Sequence, residues 1–281
     1  MDDMIREDIN RFLERDPLQA LPVRGFFATR PVQHVMHRGN SLILCGQSDH
    51  LWAYLFSATE PGAPPPRSPT GVSASPKAPG PGESPPAGDH EMKELLRECR
   101  EITPFFANVQ PWMAHILASL GDVEWTMDTR RLYYPLSSSP SSPFSRQIIP
   151  GEEPLPPIDP DRARFIQDNS DYREYTSSEY IRERLLGDIS SGITLQGTLV
   201  AWGLTHDDRS LGFLHVLPAW RRQGLAERVL GDLVRKRQAR GEIPFLNVEP
   251  RNQPSMRLVE RTGFLPDRPV SWIKMKFHGS P

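Results

Sequence analysis

The sequence predicts a mixed α/β chain of the α+β kind. Three observations carry that expectation. Stretches whose apolar residues recur at helical spacing are interleaved with stretches of strand character along the whole chain. From about residue 190 the order becomes regular: two strands about a turn, an apolar strand, a helix, a short strand and a second short helix. Hydrophobic residues make up 37% of 281, enough to supply the core of one large domain or two small ones.

In the first half, INRFLERD (residues 9–16) predicts a helix and SLILCGQSDHLWAYLFSA (41–58) two strands about a turn. Helices are expected over Glu91–Ile102 and near Gln110–Leu120, and VEWTMDTRRLYYPL (123–136) reads as strand, turn, strand. Residues 61–88 are Pro/Ser/Gly-rich and hold almost nothing that could be buried. They read as a disordered insertion, with recruitment of a proline-binding partner as its functional alternative. A second Ser/Pro-rich stretch, 136–157, reads as a linker. The expected organisation is therefore an α/β half at 1–135, interrupted at 61–88, and a second domain at 158–281.

In that second domain Asp161–Asp168 and Ser178–Leu186 read as helices, the latter capped by Ser177 or Ser178 with Glu179 in its first turn. GITLQGTLVAWGLTHDDRS (192–210) predicts a hairpin about Gln196-Gly197. LGFLHVL (211–217) is nearly continuous in apolar residues, as expected of a strand covered on both faces, and Pro218 ends it. Leu225, Val229, Leu230, Leu233 and Val234 form the apolar face of a helix that Gly241 stops. PFLNVEP (244–250) gives a short strand. Asn252 caps a last helix, which tolerates Pro254 in its first turn and ends at Gly263. VSWIKMKF (270–277) alternates like a half-buried strand.

Charge and cysteine content narrow the function. With 33 Lys and Arg against 35 Asp and Glu, the net charge of −2 argues against a general affinity for nucleic acid. Two cysteines, Cys45 and Cys99, cannot make a disulfide framework, and the acidic N-terminus does not read as a secretory signal. No apolar run approaches the ~20 residues of a membrane span. A cytoplasmic protein is expected, with the nucleus as the other reduced compartment. His34, His37 and Cys45 lack a fourth ligand at suitable spacing, so no metal site is expected.

The stretch WRRQGLAERVL (220–230) opens a helix yet has no Ser, Thr, Asp or Asn where a cap belongs. An uncapped helix start, with its free N–H groups and positive dipole end, binds anions. Gly224 admits a ligand close to the backbone, Ala226 leaves the first turn uncrowded, and Arg221 and Arg222 add positive charge. The turn suits a phosphate or diphosphate. It is neither a P-loop nor a dinucleotide fingerprint, for it lacks Gly-Lys-Ser/Thr and has a single glycine.

The pattern is R-x-x-G-x-A, in Arg221, Arg222, Gln223, Gly224, Leu225 and Ala226. It sits within LGFLHVLPAWRRQGLAERVL and is followed by FLNVEPRNQPSMRLVERTGF. Residues from about 160 to 277 resemble the GNAT N-acetyltransferase superfamily, and LVAWGLTH…LHVLP resembles its glycine N-acyltransferase-like branch. The resemblance implies a mixed central sheet flanked by helices, with a more loosely matching GNAT-like or α/β N-terminal half. It implies acetyl-CoA or another acyl-CoA as co-substrate, a small amine or amino acid as acceptor, and direct attack in a ternary complex. Alternatives are a catalytically inert acyl-CoA-binding or regulatory protein, and a protein N-acetyltransferase.

Carried onto this chain, the resemblance lays the backbone around Leu214, Val216 and Leu217 along the pantetheine arm and puts the amides of Gln223, Gly224, Leu225 and Ala226 on the diphosphate. Asn252 and Ser255 then begin the helix that meets the CoA arm, Asn252 serving equally as a plain N-cap. The chain departs from the family where many relatives carry a proton-donating tyrosine, for Val259 stands there. The base is open between His215, whose neutral imidazole accepts a proton near pH 7, Glu249, and no base at all. Trp202, Trp220 and Trp272 read as core residues or as walls of an acyl pocket, and Arg257 and Arg261 as a solvated helix face.

Overall fold

A computed structural model describes residues 3–58, 87–136 and 153–277. Residues 61–86 of the expected insertion and 137–152 of the expected linker lie outside the described residues; of the rest of that linker, Leu155 is buried in the core of the second unit and its N–H donates to Asp232 Oδ1. The chain divides into two compact units, one of residues 1–128 with 269–281, the other of residues 129–268.

The first unit contains helices α1 (Asp3–Leu13) and α2 (Leu21–Phe27), strands β1 (His34–Arg38), β2 (Ser41–Gln47) and β3 (Leu51–Ser57), then α3 (Ala87–Cys99), β4 (Phe105–Val109) and α4 (Pro111–Ala118). Strand β5 (Gly121–Tyr133) begins in it, and the last strand of the chain, β10 (Leu265–Phe277), ends in it. The β1, β2 and β3 strands form an antiparallel meander, β4 runs parallel to β3, and β10 pairs antiparallel with β4. Strand β2 is buried on both faces. Its Leu42 and Leu44 pack with Phe12, Val23 and Phe26 of the first two helices, while Ile43 and Cys45 pack with Met92, Leu95 and Cys99 of α3. A continuous apolar run is what such a position requires.

Three of these elements escape the sequence reading. Helix α2 is only seven residues long, and β1 is an edge strand exposed on both faces, so it shows no alternation. In β4, Asn108 takes φ +60° and turns its side chain inward, where Nδ2 donates to Leu55 O and Gln19 O. The stretch from 123, expected to turn midway, is one thirteen-residue strand, along which Asp128 accepts from Thr126 Oγ1 and Ser271 Oγ. His34 lies opposite Cys45 in the β1–β2 register.

The second unit carries the end of β5, then α5 (Ala163–Asp168), α6 (Ser178–Gly187), β6 (Ser190–Leu195), β7 (Thr198–Thr205), β8 (Leu211–Val216), α7 (Leu225–Gln238), β9 (Phe245–Val248) and α8 (Gln253–Arg261). Strands β6, β7 and β8 form an antiparallel sheet of three, and β9 pairs antiparallel with the end of β5. One face of this unit is closed by α5 and α6 around the fully buried Trp202. The other is closed by α7 through Val229, Leu230, Leu233 and Val234, the residues its periodicity singled out. Ser177 caps α6 by accepting from Tyr180 N at 3.1 Å.

The β6–β7 turn is the two-residue one expected, with Gln196 at φ +51° and Gly197 at φ +77°. Asparagine tolerates that left-handed conformation better than glutamine. Gln196→Asn is accordingly expected to raise stability by about 0.5 kcal/mol, measured as a shift of the urea midpoint. Among the described residues no helix is long and apolar enough to cross a membrane, and no three His, Cys, Asp or Glu groups are placed to hold a metal ion.

Candidate active site

Strand β8 was expected to be covered on both faces, but all of its residues after Leu211 are only half-buried. The reason is its place in the sheet. It is the last strand of the β6–β7–β8 sheet, while β9 is the last strand on its own side of β5, and no ladder joins them. Cα atoms of β8 and β9 nevertheless approach within 8 Å. Two neighbouring strands thus present unpaired edges to one another, a state that backbone groups keep only where another partner can reach them.

The polar groups on the β8 edge can be assigned. Leu217 N donates to Val200 O at 2.9 Å, and Val216 lies opposite Ala201. That makes Val216–Ala201 a non-hydrogen-bonded pair, so the N–H and C=O of Val216 point away from β7. Its carbonyl accepts from Arg221 Nε at 3.0 Å. One residue is added to β8 opposite Gly203, a bulge at which Phe213 adopts φ +52°. Leu214, Val216, Leu217, Trp220 and Leu225 pack half-buried against the α7 face of the core, joined there by Met256 and Leu258 of α8. They form an apolar rim where β8 ends and both helices begin.

At the start of α7, Gly224 occupies the N-cap at φ +76° and no side chain caps the helix. The first intrahelical bond is Arg228 N to Gly224 O at 3.0 Å, which leaves the amides of Leu225, Ala226 and Glu227 as the orphan donors of the first turn. Arg221, Arg222 and Gln223 are exposed, and a Cβ built on Gly224 would meet nothing within 4 Å. Among the described residues no side chain lies within 4 Å of that Cβ position.

On the α5–α6 face, His215 stacks on Trp202 at 4.7 Å between ring centroids. Its imidazole has no hydrogen-bond partner among the described residues. Burial lowers its proton affinity below the ordinary 6.5, Arg221 acts in the same direction, and Asp171 opposes them. Asp171 belongs to the loop between α5 and α6, and so does Tyr172. The Tyr172 hydroxyl donates to Glu249 Oε1 at 2.5 Å, and Arg251 Nε donates to Glu249 Oε2 at 2.6 Å. Burial and the Glu249 carboxylate together push the Tyr172 phenol up to about 12.

The remaining candidates fall on β9, at the start of α8 or in the core. Asn252 caps α8, its Oδ1 accepting from Ser255 N at 3.2 Å. Val259 is 2% exposed in the core beside Phe264, so that helix position faces inward and offers no proton donor. Asn247, midway along β9, keeps its Oδ1 buried without a partner. Trp202 is core, and Trp272 packs in the first unit with Phe56 and Tyr54. Tyr172 and Arg251 were missed by the sequence reading. Nothing local marks Tyr172, which meets Glu249 from 77 residues away.

Comparison with known proteins bears on the same region. Residues 189–273 match the family model described as FR47-like protein. No curated protein matches the chain. Among solved structures, one of a Drosophila protein superposes with a TM-score of 0.69 at 17% identity, covering 96% of each chain. A GCN5-related N-acetyltransferase from Kribbella flavida gives a TM-score of 0.50 at 14% identity over 94% of this chain and 96% of that one. Another, from Sphaerobacter thermophilus, gives 0.50 at 14% identity over 86% and 78%. At these identities the likeness is one of fold. The chain has a GNAT-like mixed α/β fold, with an FR47-like region at residues 189–273 that includes β8, the start of α7, β9 and α8.

Proposed function

We propose that the second unit is an acyl-CoA-dependent N-acyltransferase of the glycine N-acyltransferase-like kind, passing an acyl group to the amine of a small molecule or amino acid. The observation that carries this reading is a coincidence in space: neighbouring strands β8 and β9 share no ladder, and the β8 edge leads into an uncapped helix start. The residues present fit acyl-CoA. Amides from Gln223 to Ala226, with Arg221 and Arg222, suit its diphosphate. The edge of β8 from Leu214 to Leu217 suits its amide-bearing arm, and the unpartnered Asn247 Oδ1 offers a further acceptor. Asn252 and Ser255 flank the same arm from α8.

Acyl-CoA supplies an activated acyl thioester. Val216 N–H, pointing out of its ladder, is the donor for the oxygen on which charge builds as the amine adds. His215, kept neutral by burial, accepts the proton that the amine nitrogen releases. The C–N bond forms, the C–S bond breaks and sulfur leaves as a thiolate. A thiol has a pKa of about 8.5, so the thiolate is stable enough to leave and be protonated by water. Tyr172, at about 12, is too weak an acid to protonate it. Glu249 makes a poor base, because a guanidinium and a phenol already hold both of its oxygens.

Release of free thiol from acetyl-CoA across a panel of amines tests this reading. His215→Ala is expected to lower kcat by about a hundredfold. In the wild type, kcat/KM should fall on the acid side below pH 6.5, since the lowered imidazole must be deprotonated to act; the variant should lose that limb. A pH profile unchanged by the substitution rules His215 out as base. Acetyl-CoA binding without thiol release from any amine would favour an inert acyl-CoA-binding protein instead.

A further inference from the structure

We infer that the acceptor binds as a cation on Glu249, in the position that the Arg251 guanidinium holds in this structure, while Tyr172 fixes the carboxylate to receive it. For the fate of the bound amine this rests on the acyltransferase reading. The Glu249 side chain is 12% exposed, just past the end of β9, and is held on two sides by partners of unequal permanence. Tyr172 is anchored. Its N–H donates to Ser170 Oγ at 3.1 Å, its carbonyl accepts from Tyr175 N at 2.9 Å, and Gln167 Nε2 of α5 donates to the carbonyls of Arg173 and Thr176 nearby. Arg251 is not anchored in this way: its side chain is 84% exposed and it lies two residues from its partner.

A largely buried carboxylate is compensated by a cation held against it. Arg251 supplies that cation from the adjoining exposed turn, and because its own side chain is 84% exposed, water can replace the protein at the guanidinium and the pair exchanges readily. A protonated amine presents the same charge and the same N–H donors, and it can replace Arg251 on Oε2 while Tyr172 keeps Oε1 in place. Asp171, beside Tyr172, adds a second negative charge close enough to act on His215. Most amines are ammonium ions at neutral pH. They would arrive charged and dock on Glu249, lose one proton to water to become the nucleophile, and release the second to His215 as nitrogen adds to the thioester. Tyr172 is thus a positioning residue, and Arg251 a built-in competitor of the acceptor.

The test is calorimetric titration of glycine, 2-phenylethylamine and spermidine into the protein saturated with CoA, with hydroxyl analogues of the same skeletons, which carry no ammonium group, as controls. Amines should bind and alcohols should not. Arg251→Gln should tighten amine binding about three- to fivefold, whereas Tyr172→Phe and Glu249→Gln should weaken it about tenfold. The Kd of CoA itself should stay constant throughout. Shifts of opposite sign from two residues on one carboxylate are not produced by a role in folding alone. The inference is overturned if the Arg251 and Tyr172 variants shift together or not at all, or if no amine binds the wild type. Thiol release that all three variants leave untouched would sink it and keep the enzyme. Opposite shifts in amine affinity with no thiol release would keep the cation site and sink the enzyme.

Discussion

Gly224→Asp is expected to weaken CoA binding by about a hundredfold or more, with little loss of fold. The two halves of that expectation have separate causes. A Cβ at this position meets no heavy atom within 4 Å, so nothing in the protein has to move to accept it. The cost to the fold is that of a non-glycine residue at φ +76°, about 1 kcal/mol. Aspartate recovers part of this, because its carboxylate can accept from the open amides of Leu225 to Glu227 as an N-cap does. That same bond removes the diphosphate's donors and places a negative charge where the diphosphate would lie. Gly224→Ala, which brings the strain without the charge, should lose less affinity at equal or greater cost in stability. Titration of CoA into the three proteins separates the two effects. An unchanged Kd in the aspartate variant would place the diphosphate elsewhere on the molecule.

What could be read in the sequence is what local chemistry determines. The Gln196-Gly197 turn, the Ser177 and Asn252 caps and the open start of α7 each depend on a few adjacent residues, and each is found where it was expected. So is the apolar face of α7, whose spacing is its own signal. Arrangements made across long separations were not legible. The run LGFLHVL looks like a strand covered on both sides, because half-buried side chains at the end of a sheet are here as apolar as side chains that face a core. Only its place at the end of a sheet distinguishes the two. The pairing of Tyr172 with Glu249 has no trace in the spacing of either residue, and the engagement of Glu249 by Arg251 turns a candidate base into a candidate anchor. Val259 shows the converse: its helical position can be counted from the sequence, but its inward orientation reveals why a valine is comfortable there.

The largest effect on stability is expected from Asp188→Asn, which should destabilise the second unit by about 3–5 kcal/mol at pH 7. Asp188 follows α6, and its side chain, 2% exposed, accepts from Arg237 Nη2 and Arg240 Nη1 at 2.6 Å each and from Thr205 Oγ1 at 2.9 Å. It therefore ties together the end of α6, the end of β7 and the last turn of α7. Arg237 is itself 2% exposed and donates onward to Glu242 Oε2 at 2.6 Å, with Arg209 on the other oxygen of that carboxylate. Asparagine keeps the shape of Asp188 but withdraws its charge, leaving a buried guanidinium with half its compensation. Arg240→Ala serves as the comparison, for that partner is 47% exposed and its loss should cost less than about 1 kcal/mol. The pH dependence gives an independent check. Burial by itself would raise the Asp188 pKa, but its bond to Arg237 and its other hydrogen bonds outweigh that and hold it below the ordinary 3.8. A carboxyl depressed in the folded state contributes stability that is present above its unfolded pKa and is lost as the pH falls through its folded one. The difference between wild type and Asp188→Asn in urea unfolding should therefore be full at pH 7 and shrink below about pH 4. A variant within 0.5 kcal/mol of the wild type at pH 7, an order-of-magnitude threshold for surface sites, would mean that Arg237 finds an equivalent partner without Asp188.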